Sequence, residues 1–230
     1  MKKILALFLV MVLLISNTAF AALTKAVEAV DEWQAIAANT GILEGATVDL
    51  TAHYQSVLTI AVALTTNAGT ATNGCEIKVQ ISSNTTGDED WIDLTSFQGP
   101  TSTALAINTE TITNNPLAVG GTSITMASTT GYAIPSATTD NGLRYLKDAT
   151  IANSEIVYQT AVTTNTNITI IEGVTNQHAN TAVLSNVVGV YTIQLPDSAN
   201  RCRVIYNNTK DAASGSGVDV MSRMSSITGI

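Results

Sequence analysis

The chain has few charged residues and few of the side chains that catalysis and metal binding most often use. Of its 230 residues only 12% are charged, two are His and two are Cys. Soluble domains usually carry about 25% charged residues. Ten Lys and Arg stand against 18 Asp and Glu, which gives a formal net charge of −8. Because nucleic-acid binding depends on clustered cations, this balance argues against a nucleic-acid partner.

The sequence also lacks an arrangement typical of a catalytic site. His53 and His178 have no metal-ligand spacing, and no Gly-x-Ser-x-Gly elbow is present to hold a nucleophilic Ser. Two carboxylates could still converge for glycoside cleavage, because sequence spacing does not restrict such pairs. We predict that the chain is not an enzyme.

One long uncharged apolar run lies at the N-terminus. Lys2 and Lys3 precede it, it extends over residues 4–15, and Ala19-Phe20-Ala21 provides a small-x-small cleavage site. The run is shorter than the roughly 20 residues that a membrane-spanning helix needs. Residues 1–21 therefore predict a cleaved secretory signal peptide. The mature chain is then secreted, extracellular or on the cell surface, without stable membrane insertion.

Short segments of alternating apolar and polar residues, separated by turn residues, follow one another through most of the chain. Segment 75–82 alternates most regularly, and a turn and a return strand follow it. The composition becomes Gly- and Thr-rich after Asn115-Pro116, and longer segments with a β-strand pattern resume near Val183. We predict a mainly β protein, an antiparallel β-sandwich of the jelly-roll or Ig-like kind with an inserted small β domain. The predicted segments are a signal peptide at 1–21, an N-terminal arm at 22–46, a sandwich from 47–113 and 183–230, and an inserted β-rich domain at 114–182.

The N-terminal arm has an ambiguous pattern. Its apolar residues fit a loose helical spacing, and segment 27–33 also fits an extended strand. Such an arm either packs on its own domain or completes the sheet of a neighbouring copy. The candidate contact residues for self-assembly are Val27, Val30, Trp33 and Ile36.

The two Cys lie on the apolar faces of two predicted strands. Cys75 shares its face with Ile77, and Cys202 shares its face with Val204. Two inward-facing Cys in an exported protein favour a Cys75–Cys202 disulfide. Two buried free thiols are the alternative.

A carboxylate cluster, Asp88, Asp90 and Asp93, falls in the predicted hairpin turn. Ca²⁺ takes oxygen ligands from carboxylates and turn carbonyls. The cluster is therefore a candidate Ca²⁺ site, without EF-hand spacing, and a solvated turn is the alternative. No other cofactor is predicted.

The inserted segment resembles a known module. The stretch 116–132 (PLAVGGTSITMASTTGY), with 153–158 (NSEIVY) and 167–174 (NITIIEGV), is similar to a small β module of bacteriophage virion and tail-associated structural proteins. The resemblance covers residues 116–182 and implies a structural or spacer role without catalytic residues. Phage virion proteins normally lack a signal peptide, so the predicted signal favours a structural protein that the cell exports.

These features predict an exported structural subunit that self-assembles into an extracellular filament, sheath or surface layer, with copies of itself as partners. Contacts would form by sheet-edge pairing or by donation of the arm. One alternative is a monomeric secreted adhesin or glycan-binding β-sandwich module. A second alternative is a phage-derived, virion-like structural protein.

Overall fold

The computed structural model describes residues 24–37, 41–65, 73–87, 90–101, 109–132, 141–163, 166–209 and 217–228. The predicted signal peptide, 1–21, and Asp88 lie outside these ranges. The described part of the chain is nearly all β, with a short 3-10 turn at Ile151–Asn153. It contains no helix with the length and apolar character needed to cross a membrane.

The strands of the described residues form three antiparallel sheets. In chain order the strands are β1 (Thr24–Ile36), β2 (Ile42–Glu44), β3 (Val48–Asp49), β4 (His53–Leu64), β5 (Glu76–Ser82), β6 (Ile92–Gln98), β7 (Thr109–Thr111), β8 (Ser123–Thr125), β9 (Leu143–Lys147), β10 (Glu155–Val162), β11 (Asn167–Ile170), β12 (Val183–Ser185), β13 (Val188–Gln194), β14 (Arg201–Asn207) and β15 (Val218–Thr228).

Two of the sheets pack face to face as a sandwich. The first has the order β1-β15-β4-β13, and the second has the order β2-β14-β5-β6, with β3 also paired to β14. Alternate residues of each strand enter the shared core because successive side chains point to opposite faces of a sheet. The predicted mainly β, sandwich-like fold is confirmed. Its buried core includes Leu58, Ile60, Val62, Ile77, Val79, Val204, Tyr206, Val218 and Val220.

The third sheet, with the order β7-β12-β9-β10-β11-β8, curls into a half-barrel around a core of its own. It begins with β7 and ends with β12, and both strands lie a few residues outside the predicted inserted segment 114–182. Strand β13 of the sandwich follows β12 directly. The core of this inserted unit includes Ile112, Ile124, Met126, Tyr132, Leu146, Ile168 and Leu184.

The inserted unit is fixed to the sandwich through β9. The rings of Trp33 and Tyr145 lie with their centroids 4.4 Å apart. The Tyr145 hydroxyl donates a 2.8 Å hydrogen bond to the buried Asp219 carboxylate, and Lys147 Nζ lies 2.9 Å from the same group. Tyr145 and Lys147 of the inserted unit therefore supply the hydrogen bond and the opposite charge that the buried Asp219 carboxylate of the sandwich needs.

Candidate assembly edge and buried polar sites

The N-terminal arm is an edge strand of its own chain. Strand β1 pairs antiparallel with β15 from Thr24 to Ile36. Val30, Trp33 and Ile36 are buried there, whereas Val27 is 61% exposed. The helical interpretation of the arm is wrong. Three of the four residues predicted to contact a neighbouring copy already contact their own domain, so the structure does not support donation of the arm.

The β1 edge carries features that oppose pairing with another strand. Its register with β15 shifts twice, between Ala29 and Asp31 and between Asp31 and Gln34. The buried Asp31 carboxylate accepts 2.7 Å hydrogen bonds from the Ala46 backbone N–H and the Ser222 hydroxyl. Bulges and charged side chains are the usual protection of exposed edges. The charged residues of β1 are Lys25, Glu28, Asp31 and Glu32.

The opposite edge of the same sheet, β13, lacks this protection. Its sequence, VGVYTIQ, contains no charge, and its seven residues pair with β4 without a register shift. The Leu195 N–H donates to the Ser56 carbonyl at 2.9 Å, which fixes the phase of the antiparallel ladder. The backbone N–H and C=O of Val190, Thr192 and Gln194 therefore point away from β4. No strand among the described residues pairs with this edge.

The edge strand of the second sheet, β6, lies beside β13. The rings of Phe97 and Tyr191 are 4.5 Å apart, and the Tyr191 hydroxyl donates to the Gln98 carbonyl at 3.3 Å. The two strands carry one charged residue, Asp93. We call this surface the β13–β6 side. Its partly buried or exposed apolar residues are Ile92, Leu94, Phe97, Val190, Tyr191 and Ile193.

A guanidinium group occupies the turn before β6. Arg201 donates to the carbonyls of Asn84 at 2.8 Å and Gly87 at 2.5 Å. Its Cζ lies 4.9 Å from the centre of the Trp91 ring, and Arg203 Cζ lies 4.3 Å from the same ring. Turn carbonyls that a bound cation could use are therefore already bonded to a protein cation, and Trp91 contacts two guanidiniums.

The two described candidate Ca²⁺ ligands, Asp90 and Asp93, each accept a hydrogen bond from a side-chain amide. The Asp90 carboxylate accepts a hydrogen bond from the Asn84 amide, and Asp93 Oδ1 accepts one from Gln80 Nε2 at 2.7 Å. Asp88 lies outside the described residues. Within them, no three His, Cys, Asp or Glu side chains are grouped so as to hold a metal ion. The geometry gives the Ca²⁺ hypothesis no support.

The predicted disulfide between Cys75 and Cys202 is wrong in this structure. Neither residue forms a disulfide, and both thiols are buried in the sandwich core. Cys202 pairs with Ile81, six residues beyond Cys75 along the neighbouring strand. That offset is about 20 Å at about 3.3 Å per residue, whereas a disulfide needs Cα atoms about 4.4–6.8 Å apart. Burial, with a smaller effect from the Asp31 charge, raises the pKa of Cys202 to about 12.

His178 is the centre of a buried ionic cluster in the inserted unit. Its Nδ1 lies 3.0 Å from Asp148 Oδ2, and its Nε2 lies 2.7 Å from Glu155 Oε1. The side chain has no exposed surface. Glu155 also accepts hydrogen bonds from the Thr175 N–H at 2.9 Å and the Thr175 hydroxyl at 2.8 Å. The backbone of His178 exchanges two hydrogen bonds with Leu117, which positions the ring between the carboxylates.

The two carboxylates of the cluster favour the charged form of the His178 imidazole. Burial lowers the pKa of His178, but hydrogen bonds from the ring to Glu155 and Asp148, together with their charges, raise it above the ordinary 6.5. Burial raises the pKa of Glu155, but bonds from His178, Thr175 and Asn176 lower it below the ordinary 4.5. In the charged form both ring nitrogens donate, so the imidazolium joins Asp148, which follows β9, to Glu155 at the start of β10. Local sequence spacing does not reveal this cluster, because its carboxylates lie 23 and 30 residues from His178.

A cleft of about 280 Å³ separates part of the inserted unit from the sandwich, and Trp33 and Glu155 are among its lining residues. The Trp33 ring is 3% exposed and stacks on Tyr145, and the Glu155 carboxylate is bonded to His178. Sugar binding typically uses an exposed aromatic face. This cleft offers none, so it gives the glycan-binding alternative no platform.

No protein-family model and no curated protein matches the chain. A solved structure of infectious bursal disease virus, Gx strain, is 13% identical over 94% of this chain and 85% of the other, with a TM-score of 0.23. VP17, a capsid protein of bacteriophage P23-77, is 10% identical over 90% and 99% of the two chains, with a TM-score of 0.19. These weak neighbours are viral, as is the module that the inserted segment resembles. Similarity at this level carries no argument about function.

Proposed function

We propose that this protein is an exported structural subunit that assembles with copies of itself through the β13 edge of its sandwich. The observation that carries the proposal is the difference between the two edges of one sheet. β1 has bulges and four charged residues, whereas β13 is regular and uncharged. Natural proteins protect the edges that must not pair. An unprotected edge is therefore the one suited to pairing.

The chemistry of β13 favours addition of a strand. The outward backbone groups of Val190, Thr192 and Gln194 can form hydrogen bonds that each contribute about 0.5–1.5 kcal/mol. β-branched side chains favour a pleated, half-buried surface, and Val190 and Ile193 supply two of them. β13 itself carries no charged residue, so no like charges lie opposite each other when two copies of this strand pair.

The extracellular part of the proposal depends on the predicted signal peptide. Expression of the whole chain in a bacterial host, followed by mass spectrometry of the exported protein, tests it directly. We expect a mature N-terminus at Ala22 in the exported fraction. Retention of the uncleaved chain in the cytoplasm would contradict export and leave the assembly proposal to be judged separately.

Assembly is tested on the exported protein by sedimentation velocity and negative-stain electron microscopy across a concentration series. We expect concentration-dependent oligomers that Thr192→Lys weakens, because its ammonium group would lie at the pairing edge. Ala29→Lys is the matched control, since it places the same charge on the exposed β1 edge. A protein that stays monomeric at every concentration refutes the proposal, and binding of that monomer to a glycan array would favour the adhesin alternative.

A further inference from the structure

We infer that β13 pairs antiparallel with β13 of a second copy, about a two-fold axis at Tyr191, so that two four-stranded sheets become one continuous sheet. The inference rests on the proposed function and specifies its contact. It starts from the ladder phase, in which residues 188, 190, 192 and 194 direct their backbone groups outward. An added strand can therefore form hydrogen-bonded pairs with these four residues only.

A copy of the same strand satisfies this phase. In an antiparallel pair with a two-fold axis, opposite residue numbers add to a constant. When the axis passes through a residue of the strand, that constant is twice the residue's number and is therefore even. An even-numbered residue then lies opposite an even-numbered residue of the second copy, and the even-numbered residues are the ones whose backbone groups point outward. β13 is thus complementary to itself, as an isologous interface requires. Pairing with β1 of a second copy would instead meet its two register shifts and four charges.

The length of the strand selects the register. The midpoint of Val188–Gln194 is Tyr191, so only an axis at Tyr191 pairs all seven residues. Val190 then lies opposite Thr192 of the second copy, and Val188 lies opposite Gln194. All of these pairings are in the hydrogen-bonded phase. The two Val190–Thr192 pairs can each exchange two N–H···O bonds, whereas the Val188 carbonyl already accepts a 3.4 Å bond from the Asn141 amide, so the Val190–Thr192 pairs carry the contact. An axis at a neighbouring residue leaves at least one end of each strand unpaired.

The β13–β6 side supplies apolar contact beside this strand pair. Tyr191 packs on Phe97 at the open side of the core. The two-fold axis places Tyr191 next to its own copy as a non-hydrogen-bonded pair, in which side chains approach most closely. Partly buried aromatic groups of both copies then shield each other from water. No charged residue of β13 opposes this contact.

Cysteine cross-linking of the exported chain tests the register. In the double variant Val190→Cys with Thr192→Cys, each new thiol lies opposite the other type in the second copy, within disulfide distance. We expect a covalent dimer under mild oxidation. Each single variant is the control, because its thiols are two residues out of register and should remain uncross-linked. The native Cys75 and Cys202 are buried and do not compete.

A second variant tests the hydrogen bonds. Thr192→Pro removes an outward N–H and no bond to β4, so it should lower the dimerisation constant at least tenfold while circular dichroism stays that of the parent. Thr192→Val keeps the N–H and should dimerise as before. Oligomers that neither cross-link in the double variant nor respond to proline overturn this inference and leave the proposed function intact. A parent chain that never associates overturns both.

Discussion

Replacing His178 by Gln should destabilise the inserted unit by removing the charge at the centre of its ionic cluster. His178 makes two charge-assisted contacts, at 3.0 Å to Asp148 and 2.7 Å to Glu155. The carboxylate side chains are only 11% and 12% exposed. Hydrogen bonds to charged groups contribute about 1.5–3 kcal/mol each, and a Gln amide can replace one of them. We therefore expect a loss of about 3 kcal/mol in the free energy of unfolding, at the low end of the range for breaking a buried pair.

The pH dependence of this contribution has a defined sign. His178 has a raised pKa in the folded protein, so its stabilisation is complete below the ordinary value of 6.5 and is lost as pH rises through the raised value. Glu155 has a lowered pKa, so its stabilisation is complete above 4.5 and is lost as pH falls through the lowered value. The cluster is at full strength between these two limits, and raising the pH from 6 to 10 should destabilise the parent.

Thermal unfolding followed by circular dichroism measures both effects. For a chain of this size 1 kcal/mol corresponds to about 2–4 °C, so H178Q should melt about 6–12 °C below the parent at pH 6. The difference should shrink as the pH rises toward 10, because the stabilisation from the imidazolium is lost as pH passes through the raised pKa of His178. His53→Gln is the matched control, because its ring contacts the Ser226 hydroxyl at 2.7 Å. Equal melting temperatures of H178Q and the parent at pH 6 would refute a stabilising role for the ionic cluster.

Three further outcomes follow from the buried polar contacts. Arg201→Met should destabilise the sandwich by about 2 kcal/mol, because the carbonyls of Asn84 and Gly87 lose their hydrogen-bond donor. Added Ca²⁺ should not restore the melting temperature of this variant, and a restored melting temperature would support the Ca²⁺ hypothesis. Asp219→Asn should lower the unfolding free energy by about 1–2 kcal/mol through loss of the Lys147 ion pair, with a parent-like melting curve as the contradicting result. Dithionitrobenzoate should titrate two thiols only after denaturation, and thiols that stay unreactive in denaturant would instead indicate a disulfide.

The sandwich could be predicted from alternation, but the arm could not. The sequence of strand β5 alternates cleanly, and its buried apolar residues Ile77 and Val79 follow the period of two. In β1 the buried residues Val30, Trp33 and Ile36 recur every three positions, a spacing that resembles a helix. The cause is the pair of register shifts around Asp31. Each bulge changes the face on which the following side chains lie, and no local sequence pattern predicts the positions of the bulges.

Long-range register explains the other differences. Sequence alternation assigned Cys75 and Cys202 to the inner face, and both are buried there. Whether they meet depends on the offset between their two strands, which is set by the whole β5–β14 ladder. The His178 cluster also depends on long-range pairing, because an isolated β-bridge between His178 and Leu117 positions the ring beside Asp148 and Glu155. Side-chain direction is a local property of a strand, whereas strand offset is a property of the fold.

The position of the unprotected edge also limits how a larger assembly can grow. Joining two sheets through β13 uses that edge in both copies and leaves β1 at each outer edge of the combined sheet. The bulges and charges of β1 oppose further strand addition, so sheet pairing alone ends at the dimer. A filament or layer needs a second, different contact, since a two-fold interface closes on itself. That contact must lie outside both edges of this sheet.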